Sequence, residues 1–474
     1  MSSLKLPARL PPQAIPIARK RIAKLTLWPL VAATFFMVSG GTYGTEEIIH
    51  GAGYGGGILI LLFLPVLWCL PTAFMIGELS SALPQEGGYY AWVRRGLGNF
   101  WGFQEAWLSL AASIFDMAIY PTLFVFYLKQ MSPWFGLGNH GIYAGLFVVA
   151  TCAVLNLAGI RVVGITSLWL FFLLSAPFAL IVVLSPLKVG ALADAHGVPA
   201  ASGLSLLGGV LVAMWNYMGW DNASTIAGEV ERPQRTYPKA MIAAVILVAL
   251  SYVLPFAGVY LTGVPSSMFG GDGSWAAVAG AIGGKFLGFA WLRFLVILGG
   301  MMSAFGMFNA LVMSYSRLPL AMAHDEMLPR FFDKVSVRTQ SPWVAILFCA
   351  ACWALCLGLG FKRLVTLDIV LYGISLMLEF VTLVALRIRE PELKRRFRVP
   401  GGMFGAVLAG VFPLALLSLA MVESNHETVL GMNGLLFGML IIVAGVLMYF
   451  VTGKLKIRRS KPVLVKSVEE LETA

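Results

Sequence analysis

The sequence predicts an all-α integral membrane protein of twelve transmembrane helices, and three observations carry that reading. Of 474 residues, 59% are strongly apolar or aromatic, only 12% are charged, and the mean hydropathy is +0.83. A soluble domain is about half apolar and a quarter charged, so a soluble enzyme, a disordered chain and a disulfide-stapled secreted domain are all excluded. Twelve apolar stretches fall near 26–50, 57–82, 103–129, 142–159, 163–185, 205–228, 239–262, 291–316, 342–360, 365–387, 403–422 and 431–452. Each is long enough to cross a hydrocarbon core of about 30 Å at about 1.5 Å per residue. With the N-terminus inside, 28 of the 34 Lys and Arg residues lie on the inner side, leaving Lys129, Lys188, Lys285, Arg293, Lys362 and Arg363 outside. The positive-inside rule then puts both termini in the cytoplasm. It also accounts for the net charge of +11 without nucleic acid, and leaves the basic tails free to meet anionic membrane lipid.

In chain order, residues 1–25 form a basic cytoplasmic tail punctuated by Pro7, Pro11, Pro12 and Pro16, with no cleavable signal peptide visible. Residues 26–390 hold ten spans, 391–452 spans 11 and 12, and 453–474 a second cytoplasmic tail. Two spans are interrupted. Span 1 carries Ser39-Gly40-Gly41-Thr42-Tyr43-Gly44, and span 6 carries Asn216-Tyr217-Met218-Gly219-Trp220-Asp221-Asn222. Such clusters make poor continuous helix, and backbone freed at membrane depth needs protein, water or ligand partners. The breaks stand five spans apart, and an odd offset turns the second half upside down relative to the first. Paired broken helices in inverted halves point to a midplane binding site. The bland alternative is two glycine-rich packing faces.

Acids at membrane depth are costly and need a partner, a proton or a cavity. Glu46 and Glu47 follow the first break, Asp116 lies in span 3, Asp221 in the second break and Glu379 in span 10. Neighbours on a helix diverge by roughly 100°, so at most one of Glu46 and Glu47 faces a site squarely. For Glu379 a protonated or hydrogen-bonded packing role weighs equally. His50 at the end of span 1 reads as interfacial. No basic residue lies mid-span, which suits cationic cargo, a coupling proton or a metal cation and not a polyanion.

Several motifs carry no chemistry. Gly51, Gly53 and Gly56 match GxGxxG without the strand that a dinucleotide site requires. Cys349 and Cys352 form a CxxC on one apolar helix, and all five cysteines, with Cys69, Cys152 and Cys356, lie in apolar stretches. Asn222-Ala-Ser224 is a glycosylation sequon at membrane depth or on the inner side. No metal site, cofactor site or enzyme signature is found.

Taken together and in order, five segments resemble the amino acid–polyamine–organocation superfamily of secondary transporters, most nearly the plant polyamine uptake group and its bacterial relatives. They are Ser39-Gly40-Gly41 with Gly44, Glu46 and Glu47; Pro84-x-x-Gly87-Gly88-Tyr89 with Trp92; Gly96-Leu97-Gly98 leading to Phe100-Trp101-Gly102-Phe103-Gln104; Asp116 with Tyr120-Pro121; and the run from Trp220 to Gln234. The resemblance covers roughly residues 25–452. It implies a LeuT-like 5+5 inverted repeat with broken spans 1 and 6, plus two further spans. It implies that amides of Ser39, Gly40, Gly41, Thr42 and Tyr43 face a substrate carboxylate, in keeping with the positive end of a half-helix. Backbone near Trp215, Asn216 and Met218 would take the amine, with Trp215 as an aromatic gate, Asp221 as an acidic position and Gly87-Gly88-Tyr89 as a moving inner loop. Span 5 lacks the Lys that many members carry. On span 8, counting from Gly306-Met307-Phe308 places Leu311 where the plant group has a Glu.

The expectation is therefore a proton-coupled symporter importing amino acids or related amines such as polyamines across the cell membrane, and not an enzyme. Phe308 and Leu311 face the distal end of the solute, and Asp116, Asp221, Glu46 and Glu47 handle the proton or a cation. Leu311 offers apolar contact only, which favours apolar amino acids over polyamines because an unpaired buried ammonium is strongly unfavourable. The rivals are an uncoupled exchanger and a non-transporting amino acid sensor.

Overall fold

In a computed structural model the described residues are 25–85, 87–193, 206–270, 274–285, 290–358, 361–424, 428–429 and 432–459. The tail prolines Pro7, Pro11, Pro12 and Pro16, the rest of the N-terminal tail to residue 24 and the C-terminal tail from residue 460 lie outside them.

The described chain is almost wholly helical. Its helices are α1 (Leu27–Val38), α2 (Glu46–Leu64), α3 (Leu70–Ala82), α4 (Gly88–Leu97), α5 (Asn99–Met131), α6 (His140–Leu157), α7 (Ile160–Leu184) and α8 (Leu206–Asn216). They continue as α9 (Pro233–Thr262), α10 (Trp275–Gly283), α11 (Trp291–Tyr315), α12 (Arg317–His324), α13 (Trp343–Ala354), α14 (Phe361–Arg389), α15 (Gly402–Ser424) and α16 (Gly434–Arg459). Among the described residues eight helical stretches are long and apolar enough to cross a membrane, and the helices Leu27–Val38, Trp343–Ala354 and Leu436–Thr452 are apolar but shorter. The exposed surface fits that setting, with Trp169, Phe172, Phe147 and Phe404 among its bare large apolar side chains. The elements not expected are the short helices α4, α10 and α12 and a two-stranded ribbon pairing Thr428–Val429 with Met432–Asn433.

Both interruptions are present. α1 stops at Val38, where the Ser39 amide still reaches Phe35 O at 2.6 Å, and helix resumes only at Glu46. α8 stops at Asn216, and a 3₁₀ segment, Trp220–Glu229, follows Gly219. Gly219 holds φ +88, and a Cβ there would collide with the Met37 carbonyl oxygen, so only glycine lets the two breaks approach. The expected separation of spans 1 and 2 takes an unforeseen form. Helix runs on from Glu46 to Ala82, bent at Gly53 (φ 64) and through a π-turn at Pro65–Cys69. Proline lacks the amide that a regular turn needs, which accounts for the π-turn. The GxGxxG match is this bend and not a nucleotide loop.

Aromatic rings from α5 and α1 seat on glycines of α11. A Cβ at Gly300 would meet the Tyr127 ring at 2.6 Å, and one at Gly306 would meet Phe36 at 2.7 Å. Small residues let helices close up where lipid supplies no hydrophobic drive. α14 packs most extensively on α5.

Candidate functional site

The freed backbone at both breaks is satisfied mainly by side chains. Trp275 Nε1 donates to Thr42 O at 2.9 Å, Ser303 Oγ to Gly40 O at 2.5 Å, and Asn216 Nδ2 to Gly44 O at 3.0 Å. Tyr252 OH donates to Asn216 O at 2.7 Å, and the indoles of Trp68 and Trp220 donate to Tyr217 O. Each bond removes the cost of an orphaned polar group in an apolar setting.

Between the breaks lies a cavity of about 20 Å³, room for about one water molecule. The first break contributes Met37, Val38, Gly40 and Tyr43, and the second Trp215, Asn216, Met218 and Gly219. α5 adds Asp116 and Tyr120, α11 adds Met307 and Tyr315, and α14 adds Asp368 and Tyr372. None of these lining residues is Lys, Arg or His. Tyr120 OH and Tyr315 OH donate to the two oxygens of Asp116, at 2.7 and 3.3 Å, and Trp215 stacks on Tyr120 with centroids 6.4 Å apart. Asp368 Oδ1 is buried with no hydrogen-bond partner. A carboxylate is an acceptor only, so the unpaired oxygen asks for a donor, an added proton or a cation.

The site expectations divide. Gly40, Tyr43, Trp215, Asn216, Met218 and Asp116 line the cavity. Ser39 does not, and its Oγ takes the Gly41 amide at 3.0 Å, so that amide is already occupied. Gly41 faces Leu174, and Thr42 is tied to Ser251 O. Phe308 packs edge-on against Trp353, 5.7 Å between centroids. Leu311 is buried one turn from both Met307 and Tyr315, on their face of α11 but outside the lining. Asp221 stands one layer back and accepts the hydroxyl of Tyr372, which in turn accepts the Gly219 amide at 3.0 Å. Glu46 is buried and accepts Tyr127 OH at 2.9 Å, whereas Glu47 is exposed, the divergence expected of helix neighbours. His50 rests against Gly270. The sequon is buried, with Asn222 Oδ1 taking Ser314 and Ser224 Oγ taking the Tyr89 amide.

The backbone of Gly87 and Gly88 docks on the 3₁₀ segment, the Gly87 amide 3.4 Å from Thr225 O. Beside it Arg94 pairs with Asp325, which also accepts Tyr90 OH at 2.9 Å. These contacts join α4 to the 3₁₀ segment and to the end of α12.

Sequence reasoning missed Asp368 and Glu105. Each is an acid two or three residues inside the expected end of an apolar stretch, where a solvated loop residue would read the same way.

A family model described as amino acid permease matches residues 31–451. The chain belongs to the amino acid permease family. Among its relatives is the polyamine transporter RMV1 of Arabidopsis thaliana, 34% identical over 86% of this chain and 82% of the relative. Polyamine transporter PUT1 of Oryza sativa subsp. japonica is 36% identical over 85% and 74%. The serine/threonine exchanger SteT of Bacillus subtilis is more distant, at 27% over 75% and 82%. This permease is thus a multi-pass membrane transport protein and not an enzyme, and its relatives are transporters of amines.

Proposed function

We propose that the chain is a proton-coupled symporter importing cationic amines, polyamines ahead of neutral amino acids, through the cell membrane. In this reading it has twelve spans, two inverted five-span halves of LeuT-like form, and both termini in the cytoplasm. The observation that carries the substrate class is a single cavity lined by Asp116 and Asp368 and by no basic residue, with one Asp368 oxygen unpartnered. A protonated amine offers both the charge and the donors that such an oxygen lacks. The faces of Trp215 and Tyr120 add cation–π attraction of about 0.5–2 kcal/mol. The Gly41 amide, held by Ser39, is one fewer donor for a substrate carboxylate, and polyamines have none. The relatives named as polyamine transporters agree.

Leu311 favours the second reading, uptake or exchange of apolar amino acids. Two carboxylates in the lining outweigh one apolar side chain outside it. The closed cavity means that either cargo enters only when its walls part, with the Gly87–Gly88 loop and the Arg94–Asp325 pair as the inner wall.

The test is uptake of labelled spermidine into proteoliposomes, with and without a pH gradient, against putrescine, leucine and phenylalanine as competitors. Spermidine uptake should rise with an acidic exterior, and Leu311→Glu should strengthen competition by polyamines. If leucine or phenylalanine outcompetes both amines in the wild type, the amino acid reading replaces this one.

A further inference from the structure

Two facing polar stripes run from the cavity toward the basic end of the molecule. On α5 they are Glu105, Ser109 and Asp116, and on α14 Asp368, Tyr372, Ser375 and Glu379. Spacings of 4, 7 and 11 residues keep each set on one helical face. Eleven residues span about 16 Å along the axis, so the far ends sit well outside the cavity. There Ser375 Oγ donates to Glu105 at 2.5 Å, and the Ser109 and Ser375 hydroxyls lie 2.8 Å apart.

Glu105 and Glu379 are completely buried. Both Glu379 oxygens, Glu105 Oε2 and both amide atoms of Gln104 have no hydrogen-bond partner, and Tyr89 OH and Thr382 Oγ1 are likewise unpaired. The titratable groups that act on the pair are Tyr89 from α4, Asp221 from the 3₁₀ segment and Tyr372 from α14. α16 presents backbone at Gly445, and the nearby acid of α3, Glu78, is taken by Arg387 and Arg395. Among the described residues neither carboxyl has a basic partner, and no third His, Cys, Asp or Glu completes a metal cluster. A buried carboxyl without a base is kept by a proton.

We propose that Glu105 and Glu379 form a proton-release site on the cytoplasmic side of the substrate cavity, separate from the acids that meet the solute. The proposal rests on the proton-coupled reading above and adds the residues that let the proton leave. A proton taken up from outside at the cavity acids passes along the stripe through Tyr372, Asp221 and the two serine hydroxyls, which both donate and accept. The glutamate that holds its proton first releases it to the cytoplasm when the inner wall opens, and the emptied carboxyl is then reloaded by the proton passed along the stripe. One proton enters at the cavity for each one released, so the cycle closes. Thr382 lies one turn beyond Glu379, and Glu390 another eight residues on, at the exposed pair with Arg95.

The experiment uses full-length protein in proteoliposomes with a pH-sensitive dye trapped inside. Glu105→Gln and Glu379→Gln should lose at least tenfold of pH-driven spermidine accumulation and of spermidine-dependent proton entry, while spermidine counterflow at equal pH persists. Glu379→Asp, which keeps a carboxyl, should recover part of the proton entry, and Ser375→Ala should slow it. Wild-type pH dependence in both Gln variants would overturn the proposal. So would loss of counterflow in a variant that melts like wild type, because the residue would then serve the solute. Uptake driven by a sodium gradient and abolished by Glu379→Gln would assign the site to sodium instead. Absence of spermidine-linked proton entry in the wild type would strike the proposed function itself, and is read before any variant.

Discussion

Two buried acids at the basic end of the molecule, Glu78 on α3 and Glu379 on α14, have opposite surroundings. Glu78 is saturated: Arg387 grips it through Nε at 2.9 Å and a terminal nitrogen at 2.5 Å, Arg395 approaches at 3.3 Å, and the Val399 amide donates at 2.7 Å. That fork fastens α3 to α14 and to the loop before α15. Glu379 sits eight residues before Arg387 on the same helix, yet neither of its oxygens has a partner. A carboxylate locked to two guanidiniums has no reason to bind a proton or a cation, and its work is structural. One equally buried and left without a base has every reason to do so. Burial therefore does not mark a functional acid in this protein. On the reading proposed above the missing base does, and Asp368, with one unpartnered oxygen, meets the same criterion at the cavity.

The sharpest way to break this contrast is to neutralise both acids. Glu78→Gln leaves Arg387 and Arg395 buried without their counter-charge, and removing one partner of a buried pair costs about 3–5 kcal/mol. Its melting temperature in detergent should fall steeply, whereas Glu379→Gln should melt at or above the wild-type temperature. Equal losses in the two variants would mean that Glu379 too is a structural acid. The next effect is on binding. Asp368→Asn should weaken spermidine binding by roughly ten- to a hundredfold, about 1.4–2.7 kcal/mol, with no loss of thermal stability. Equilibrium binding to purified protein measures it, and unchanged affinity would remove Asp368 from the solute site.

Gly219→Ala tests whether the two breaks act as one site. The added methyl group meets the Met37 carbonyl in a left-handed backbone position, a strain of about 1–3 kcal/mol. Binding should weaken severalfold while the protein still inserts and elutes as a single species. Full binding would separate the breaks from the solute. The smallest effect belongs to an exposed pair. Arg95 forks onto Glu390 at 2.9 and 2.7 Å, and its hydrogen bonds hold the Glu390 carboxyl below the ordinary range. The folded state then binds that proton less readily than the unfolded chain. The pair's contribution is present above the unfolded-state pKa and is lost as pH falls through the folded one. Because both groups are solvated it amounts to less than about 1 kcal/mol. Melting of Glu390→Gln should lie slightly below wild type at neutral pH and coincide with it in acid.

Much of the site was legible because its signals are local. Three glycines in six residues after Val38, and Asn216 to Asn222 around Gly219, announce backbone that cannot stay helical, and both breaks stand there. Asp116 and Asp221 were legible as acids inside apolar runs. Asp368 and Glu105 were not, since each lies close to an expected helix end where an acid ordinarily meets water. Phe308 and Leu311 illustrate the remaining limit. Counting along a helix placed them near the site, but a rotation of one residue sends Phe308 to Trp353 and leaves Leu311 on the Met307 face.

Membrane residence, helical class and the positions of the two breaks follow from the sequence alone, because composition and backbone chemistry act over a few residues. Which acids are clamped and which are left bare was decided by the tertiary structure. Glu78 and Arg387 are 309 positions apart, and Glu105 meets Ser375 across 270. The pairing of α5 with α14 turns two unremarkable periodicities into facing stripes, and long-range packing also chose which carboxylates received an arginine.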